Sequence, residues 1–204
     1  MGDLMVRKTK RNAIILAIVL VVLSLIFTYQ YTANIEHKNT ITAMDAFAIS
    51  EFIAENHSGG SVLCSVTKVG DVSVDGSASG WRFYYISHIN GSLYHGFDVT
   101  VYSNENTKIY EYGEGNSTEI PIENWTIDSD EAYSIAMKNK EIRAFMDEYP
   151  GAYVDIFSLH GREDGNHPVW NIEWVDWGFM DDPHWAKIQI DATTGEVLYV
   201  EADL

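Results

Sequence analysis

Residues 186–200 read AKIQIDATTGEVLYV. Apolar and polar side chains alternate through AKIQI, a pattern typical of an antiparallel strand with one face in the core. The polar run that follows could be a small chemical site or a hairpin turn. We interpret it as a turn, because Asp191 can accept hydrogen bonds from backbone N–H groups and Gly195 can adopt the positive φ that such a hairpin requires. The alternation resumes at Val197 and Tyr199, so the stretch predicts two paired strands.

Two helices of the same design are predicted upstream of this hairpin. Residues 42–56, TAMDAFAISEFIAEN, begin with Thr42 and Asp45 at the spacing of a capping box. Residues 128–151, DSDEAYSIAMKNKEIRAFMDEYPG, repeat the design with a cap at Asp128 and end at a Pro-Gly pair. Each predicted helix has one apolar face. The faces consist of Ala46, Ile49 and Ile53 in the first helix and of Ala132, Ile135, Ala136, Ile142, Phe145 and Met146 in the second.

Strand-like runs follow each predicted helix in the same order, and the second run of each set begins with Trp81 or Trp170. The runs are SVLCSVTKV (61–69), WRFYYIS (81–87), FDVTVY (97–102) and KIYEY (108–112), then AYVDIFSL (152–159), VWNIEWV (169–175), WAKIQI (185–190) and EVLYV (196–200). The sequence therefore predicts an α+β protein made of two repeats, each one helix packed on an antiparallel meander. The predicted units are residues 40–113 and 125–204, joined by a linker at 114–124. Each unit is small for a stable core, so we expect the two to pack together.

The second repeat resembles the PepSY family. SDEAYSIAM (129–137) is similar to the opening helix of that family, VWNIEWV to its Trp-containing strand, and IQIDATTGEVLYV (188–200) to its closing hairpin. The first repeat departs from the family pattern, because it has SNENTKIY (103–110) where the family shows Asp-x-x-Thr-Gly-x-Val. The resemblance implies a cystatin-like fold at or outside the cell envelope, in a family thought to bind or restrain peptidases. The resemblance does not imply an active site.

An apolar segment precedes the repeats. Residues 13–27 are uninterrupted by charge, and the tyrosines that follow extend them toward the roughly 20 residues that a membrane span needs. Four bases lie in residues 1–11, so the positive-inside rule predicts a cytoplasmic tail there. We expect residues 12–33 to form an uncleaved single-pass anchor in membrane lipid, with the repeats outside the cell. The alternative is a cleaved signal peptide, which the bulky Tyr31 near the exit of the segment disfavours.

The charge balance is strongly acidic. The chain has 30 acidic and 13 basic residues, a net charge of −17; outside residues 1–11, 29 acids face 9 bases, a net charge of −20. Such a surface repels nucleic acid and favours cations or basic proteins as partners, although acidity also serves solubility. The sequons on the predicted outer side mark surface loops if the host glycosylates. They are Asn56, Asn90, Asn116 and Asn124.

Residues that could carry chemistry are few. Cys64, the only cysteine, lies in an apolar run and is predicted to be a buried core residue. A set of histidines and aspartates superficially resembles a metal site: His160, Asp164, His167, Asp181, Asp182 and His184. We predict no shared site, because the set divides between loops at opposite ends of the VWNIEWV strand, some 20 Å apart at about 3.3 Å per residue. Weak calcium binding by an acidic loop is more plausible than a zinc site.

No sequence motif of a hydrolase or phosphate-binding loop occurs in the chain. We therefore predict no catalytic, cofactor-binding or metal-binding residue. The aromatic-rich strands could line a ligand groove, but their clean alternation favours a core role. The leading hypothesis is a membrane-anchored, extracytoplasmic binding module without enzymatic activity, which restrains an envelope peptidase or binds a polypeptide along a sheet edge. The alternative is an extracytoplasmic sensor of a cation or small ligand, and a hydrolase is the least favoured reading.

Overall fold

A computed structural model describes residues 39–90, 93–115, 120–162, 167–178 and 183–203. The predicted basic tail (1–11) and membrane anchor (12–33) lie outside these ranges. In the part of the chain that is described, no helix is long and apolar enough to cross a membrane. Residues Thr40–Leu204 form one compact unit.

Three helices are present among the described residues: α1 (Ala43–His57), α2 (Ser129–Lys138) and α3 (Lys140–Glu148). As predicted, Thr42 caps α1, and its hydroxyl accepts the N–H of Asp45 at 3.3 Å. The second helical segment differs from the prediction of one continuous helix, because it breaks at Asn139. The Asn139 side chain accepts the N–H groups of Glu141 and Ile142 and so caps α3. Asparagine competes with the helix backbone for hydrogen bonds, which favours a cap over a helix interior.

All eight predicted strands are found. They are β1 (Val62–Val72), β2 (Ala78–Asn90), β3 (Leu93–Tyr102), β4 (Thr107–Gly115), β5 (Tyr153–His160), β6 (Val169–Asp176), β7 (His184–Asp191) and β8 (Val197–Ala202). They form one sheet in the order β4-β3-β2-β1-β5-β6-β7-β8, with every neighbouring pair antiparallel. The α+β class and the antiparallel meanders are confirmed. The strands of the two predicted units join through the pairing of β1 with β5, in which Thr67 lies opposite Ser158.

The core lies between the helices and one face of this sheet. Alternate residues of each central strand point into it, as the sequence alternation predicts. Fully buried side chains there include Trp81, Phe83, Phe97, Phe157, Trp170, Ile172, Ile188 and Ile190. The two Trp residues singled out in the sequence occupy equivalent places. The indole N–H of Trp81 donates to the carbonyl of Ile41, and that of Trp170 to the carbonyl of Ile127, each at 2.8 Å.

The N-termini of α1 and α2 meet at Asp128. The Asp128 carboxylate accepts the N–H of Ser129 in its own helix and the N–H of Met44 in α1, at 2.6 and 2.9 Å. The Ser129 hydroxyl accepts the N–H of Ala43 at 3.0 Å. A helix N-terminus carries partial positive charge and unpaired N–H groups, so one carboxylate stabilises both helix ends. This cross-capping joins the two predicted repeats at the helix layer as well as in the sheet.

Candidate functional site

The closing hairpin has the geometry that its sequence predicts. Oδ1 of Asp191 accepts the N–H groups of Thr193 and Thr194 at 2.9 and 2.8 Å. Gly195 has φ +76°, and a Cβ added there would lie 3.2 Å from the Cδ1 of Ile135. These interactions confirm the two roles predicted from the sequence, a backbone hydrogen-bond acceptor and a residue with positive φ.

The hairpin also contacts residues that sequence reasoning did not connect with it. Nδ1 of His167 lies 3.1 Å from Oδ2 of Asp191. Burial works to raise the pKa of Asp191, but hydrogen bonds from Thr194, Thr193 and His167 outweigh it and hold that pKa below its ordinary value. The Thr193 hydroxyl donates to the carbonyl of Asn124 at 2.8 Å. The turn thus fixes the segment that leads into α2, which is a structural role.

The histidines of the predicted metal-like set have separate partners. His160 contacts the Ser158 hydroxyl at 3.0 Å, and His184 contacts the Asp203 carboxylate at 3.2 Å. His167 precedes β6, whereas His184 begins β7 and pairs with Asp176 at the far end of β6. The structure therefore does not bring these histidines together. Asp164, Asp181 and Asp182 lie outside the described residues, and within those residues no group of three His, Cys, Asp or Glu side chains could hold a metal ion.

The side chains of Cys64 and of two of the sequon asparagines lie among the described residues. Cys64 is buried in β1, as predicted. Asn124 is exposed and lies in a loop, as predicted for the sequons, whereas Asn56 is exposed but lies in the last turn of α1 and not in a loop. Asn116 and the side chain of Asn90 lie outside the part of the chain that the structure describes.

A buried carboxylate lies on the sheet face away from the helices. Asp98 of β3 is 4% exposed, accepts a hydrogen bond from the Tyr112 hydroxyl, and lies 3.7 Å from Nε of Arg82. Burial raises the pKa of Asp98, and the bonds to Tyr112 and the charge of Arg82 only partly oppose the shift. The same hydrogen bond raises the pKa of Tyr112 to about 12. Asp98 lies opposite Tyr110 of β4, and Tyr112 is two residues further along that strand, so the pairing of β3 with β4 brings the two side chains together.

Among the strands that the structure describes, the two outer ones, β4 and β8, have no neighbour on one side. Both expose apolar side chains: Ile109, Tyr110 and Tyr112 on β4, and Val197, Leu198 and Tyr199 on β8. An edge strand with open backbone N–H and C=O groups can accept an added strand from another polypeptide.

One family model matches part of the chain. Residues 126–201 match the PepSY family model, described as "Peptidase propeptide and YPEB domain". The matched range runs from just before α2 to the end of β8. The match confirms the resemblance of the second repeat, whereas the assignment of the first repeat stays a prediction. No curated protein and no solved structure matches the chain.

Proposed function

We propose that this chain is a binding module without enzymatic activity that restrains a peptidase in the cell envelope. The observation that carries the proposal is the PepSY match over residues 126–201, a family described by its occurrence in peptidase propeptides. A propeptide acts by covering a surface of the peptidase and needs no catalytic residue of its own. A fold with a closed apolar core and an open sheet edge is suited to that role.

The edge strand β8 is the favoured contact surface. It belongs to the matched range, and it presents Val197, Leu198 and Tyr199 next to an open line of backbone groups. A strand of the partner can add to this edge through main-chain hydrogen bonds, with its own side chains packing on the exposed apolar ones. The net charge of −17 favours a partner with a basic surface and disfavours nucleic acid.

The proposed place of action is the outer side of the cell membrane. The apolar run at 13–27 and the bases before it support a single-pass anchor with the folded region outside. Protease added to intact cells should then digest the folded region and spare the N-terminal tail. Full protection of the folded region would reverse the proposed orientation.

The binding role is tested by capturing the full-length chain from native membranes in mild detergent. Peptidase activity on labelled casein is measured in the captured material before and after the chain is released. We expect activity to rise on release from the wild-type chain. Leu198→Lys, which places a charge on the β8 edge, should reduce the amount of peptidase captured. Ile109→Lys, the matched change on the β4 edge, should not.

If Leu198→Lys captures as much peptidase as Ile109→Lys and the wild-type chain do, the β8 edge is not the contact surface. A captured chain that never carries peptidase activity would contradict the peptidase-restraining role itself. A melting temperature that rises with added Ca²⁺, in a chain that carries no peptidase, would favour the cation-sensor alternative.

A further inference from the structure

The two repeats place equivalent residues around two clefts, one in each half of the sheet. Leu63 of β1 pairs with Tyr85 of β2, and Val154 of β5 pairs with Trp174 of β6. Tyr85 and Trp174 each lie four residues after the Trp that begins the second strand of its repeat. We name the cavity beside Leu63 and Tyr85 the β1 cleft, and the cavity beside Val154 and Trp174 the β5 cleft.

The chain itself contributes an apolar segment to the β1 cleft. The N–H of Ile122 donates to the carbonyl of Leu63 at 2.7 Å, and the Ile122 side chain is only 8% exposed. The segment passes so close to Gly161 that a Cβ there would lie 2.6 Å from the carbonyl oxygen of Ile120. A stretch of polypeptide therefore lies beside the first residues of β1 and buries one apolar residue.

The polar group at the back of the β1 cleft is paired. The hydroxyl of Tyr85 forms a hydrogen bond with the Ser50 hydroxyl at 2.8 Å. Ser50 lies eight residues after the N-cap of α1, and the residue at the same place after the N-cap of α2 is Ala136. The second repeat therefore lacks the hydroxyl that pairs the equivalent aromatic residue in the first.

Both clefts are open cavities, and the β1 cleft measures about 210 Å³. The β5 cleft has a different lining. It is a cavity of about 220 Å³, and its walls include Val72, Val74, Tyr133, Met146, Val154 and Trp174. Trp174 is 1% exposed, and within the described residues no acceptor meets its indole N–H with hydrogen-bond geometry. The nearest candidate acceptor is the Tyr133 hydroxyl: burial raises the pKa of Tyr133, and the neighbouring Trp174 indole N–H partly opposes that shift. A buried donor without a well-aligned acceptor is costly, so a ligand that aligns the Tyr133 oxygen with the indole N–H is favourable here.

A second cavity adjoins the β5 cleft. It measures about 560 Å³ and shares the walls Val74 and Tyr133 with the cleft. Asp75, Asp130 and Glu131 line it, opposed by a single base, Lys138. A ligand that extends from the apolar cleft into this cavity is favoured if it carries positive charge.

We propose that the β5 cleft binds an extended segment of a polypeptide partner, with an apolar side chain in the cavity followed by a basic side chain toward the acidic one. The segment occupies the place that Ile120–Ile122 takes in the β1 cleft. Its backbone N–H donates to the carbonyl of Val154, as Ile122 donates to Leu63. A backbone carbonyl of the segment accepts from the Tyr133 hydroxyl, whose oxygen can then accept the indole N–H of Trp174. The inference rests on the proposed function only in that both require a polypeptide partner.

The test uses the full-length chain with ¹⁵N-labelled tryptophan and the probe peptide acetyl-Ile-Pro-Ile-Lys-Asn-amide. The indole resonance of Trp174 is identified by its loss in Trp174→Phe. We expect this resonance to shift saturably with the peptide, while the indole resonances of Trp81 and Trp170, which are bonded to backbone carbonyls, stay in place. A control peptide with Ser in place of the central Ile should produce no shift.

Two matched variants remove one hydroxyl from each cleft. Tyr133→Phe should weaken the peptide roughly three- to tenfold, the effect of one net hydrogen bond. Tyr85→Phe, in the β1 cleft, should leave the affinity unchanged. The peptide proposal is overturned if the Trp174 resonance does not move, or if both variants weaken the peptide equally. A shift that depends on protein concentration alone would place a second copy of this chain in the cleft and would also overturn it.

The two proposals fail separately. Peptidase capture that persists in Tyr133→Phe, together with an unmoved Trp174 resonance, would keep the peptidase-restraining role and remove the β5 cleft. A peptide that binds at Trp174 in a chain that never captures a peptidase would support the cleft and contradict the peptidase role.

Discussion

The ring of Trp81 packs edge-on against the ring of Trp170, with their centroids 5.9 Å apart. Each ring belongs to a different predicted repeat, and each anchors the residue that precedes a helix cap, Ile41 or Ile127. The contact therefore joins two fully buried residues, one from each predicted repeat. Because the β1–β5 pairing and the Asp128 cap also join them, we expect the two repeats to unfold together.

Trp170→Phe should lower the free energy of unfolding by roughly 2–4 kcal/mol, because it removes buried ring volume and leaves the Ile127 carbonyl without its donor. Urea denaturation followed by circular dichroism measures the change. Trp177→Phe is the matched control, since Trp177 is exposed, and it should change stability by less than about 0.5 kcal/mol. Equal effects of the two substitutions would contradict the central position of Trp170.

Gly195→Val should destabilise the fold by roughly 1–3 kcal/mol, because a β-branched residue tolerates φ +76° poorly. Asp191→Asn should have a much smaller effect, since the amide oxygen can still accept the N–H groups of Thr193 and Thr194. Melting temperature and peptidase capture are measured for both variants. Loss of function in a fully folded Asp191→Asn variant would show that the carboxylate has a chemical role and would refute the interpretation of this stretch as a turn.

Asp98 should make stability depend on pH. Its pKa is raised in the folded state, so the folded state holds the proton more tightly than the unfolded state does. Stability should then fall as pH rises from the ordinary pKa of 3.8 through the raised one, as ionised Asp98 replaces the neutral form. Asp98→Asn should remove this slope.

The Asp98 prediction is measured as the difference in unfolding free energy between wild type and Asp98→Asn across the acidic pH range. The difference cancels carboxylates common to both proteins, including Asp191, whose lowered pKa gives a slope of opposite sign. A difference that stays constant with pH would indicate that the Asp98 pKa is not raised.

Much of the local structure could be predicted because it depends on short-range chemistry. The caps at Thr42 and Asp128, the strand alternation and the hairpin at Asp191 each follow from residues close in sequence. The α2–α3 break could have been found from the same kind of signal, since Asn139 is a strong capping residue within an apolar pattern. The residues on both sides of Asn139 continue the apolar face, so the pattern resembles that of one continuous helix.

The long-range relationships could not be predicted from the sequence. The Met44 N–H that bonds to Asp128 lies 84 residues away, and nothing in either helix indicates that the two N-termini meet. The hydrogen bond between Tyr112 and Asp98 depends on the register of β3 and β4, in which Asp98 lies opposite Tyr110. The β5 cleft could not be predicted because it depends on a hydroxyl that the second predicted repeat lacks. That difference is recognised only when Leu63 and Val154 are known to occupy equivalent positions.

Restraint of a peptidase by this chain can be measured by titrating the chain into the peptidase. Increasing amounts of the purified full-length chain are added to the captured peptidase after release, and casein cleavage is followed. We expect a saturable loss of activity that is complete near equal molar amounts, weakened by Leu198→Lys and unaffected by Ile109→Lys. Peptidase activity that stays constant at a large excess of the chain, or casein cleavage by the chain alone, would contradict the peptidase-restraining role.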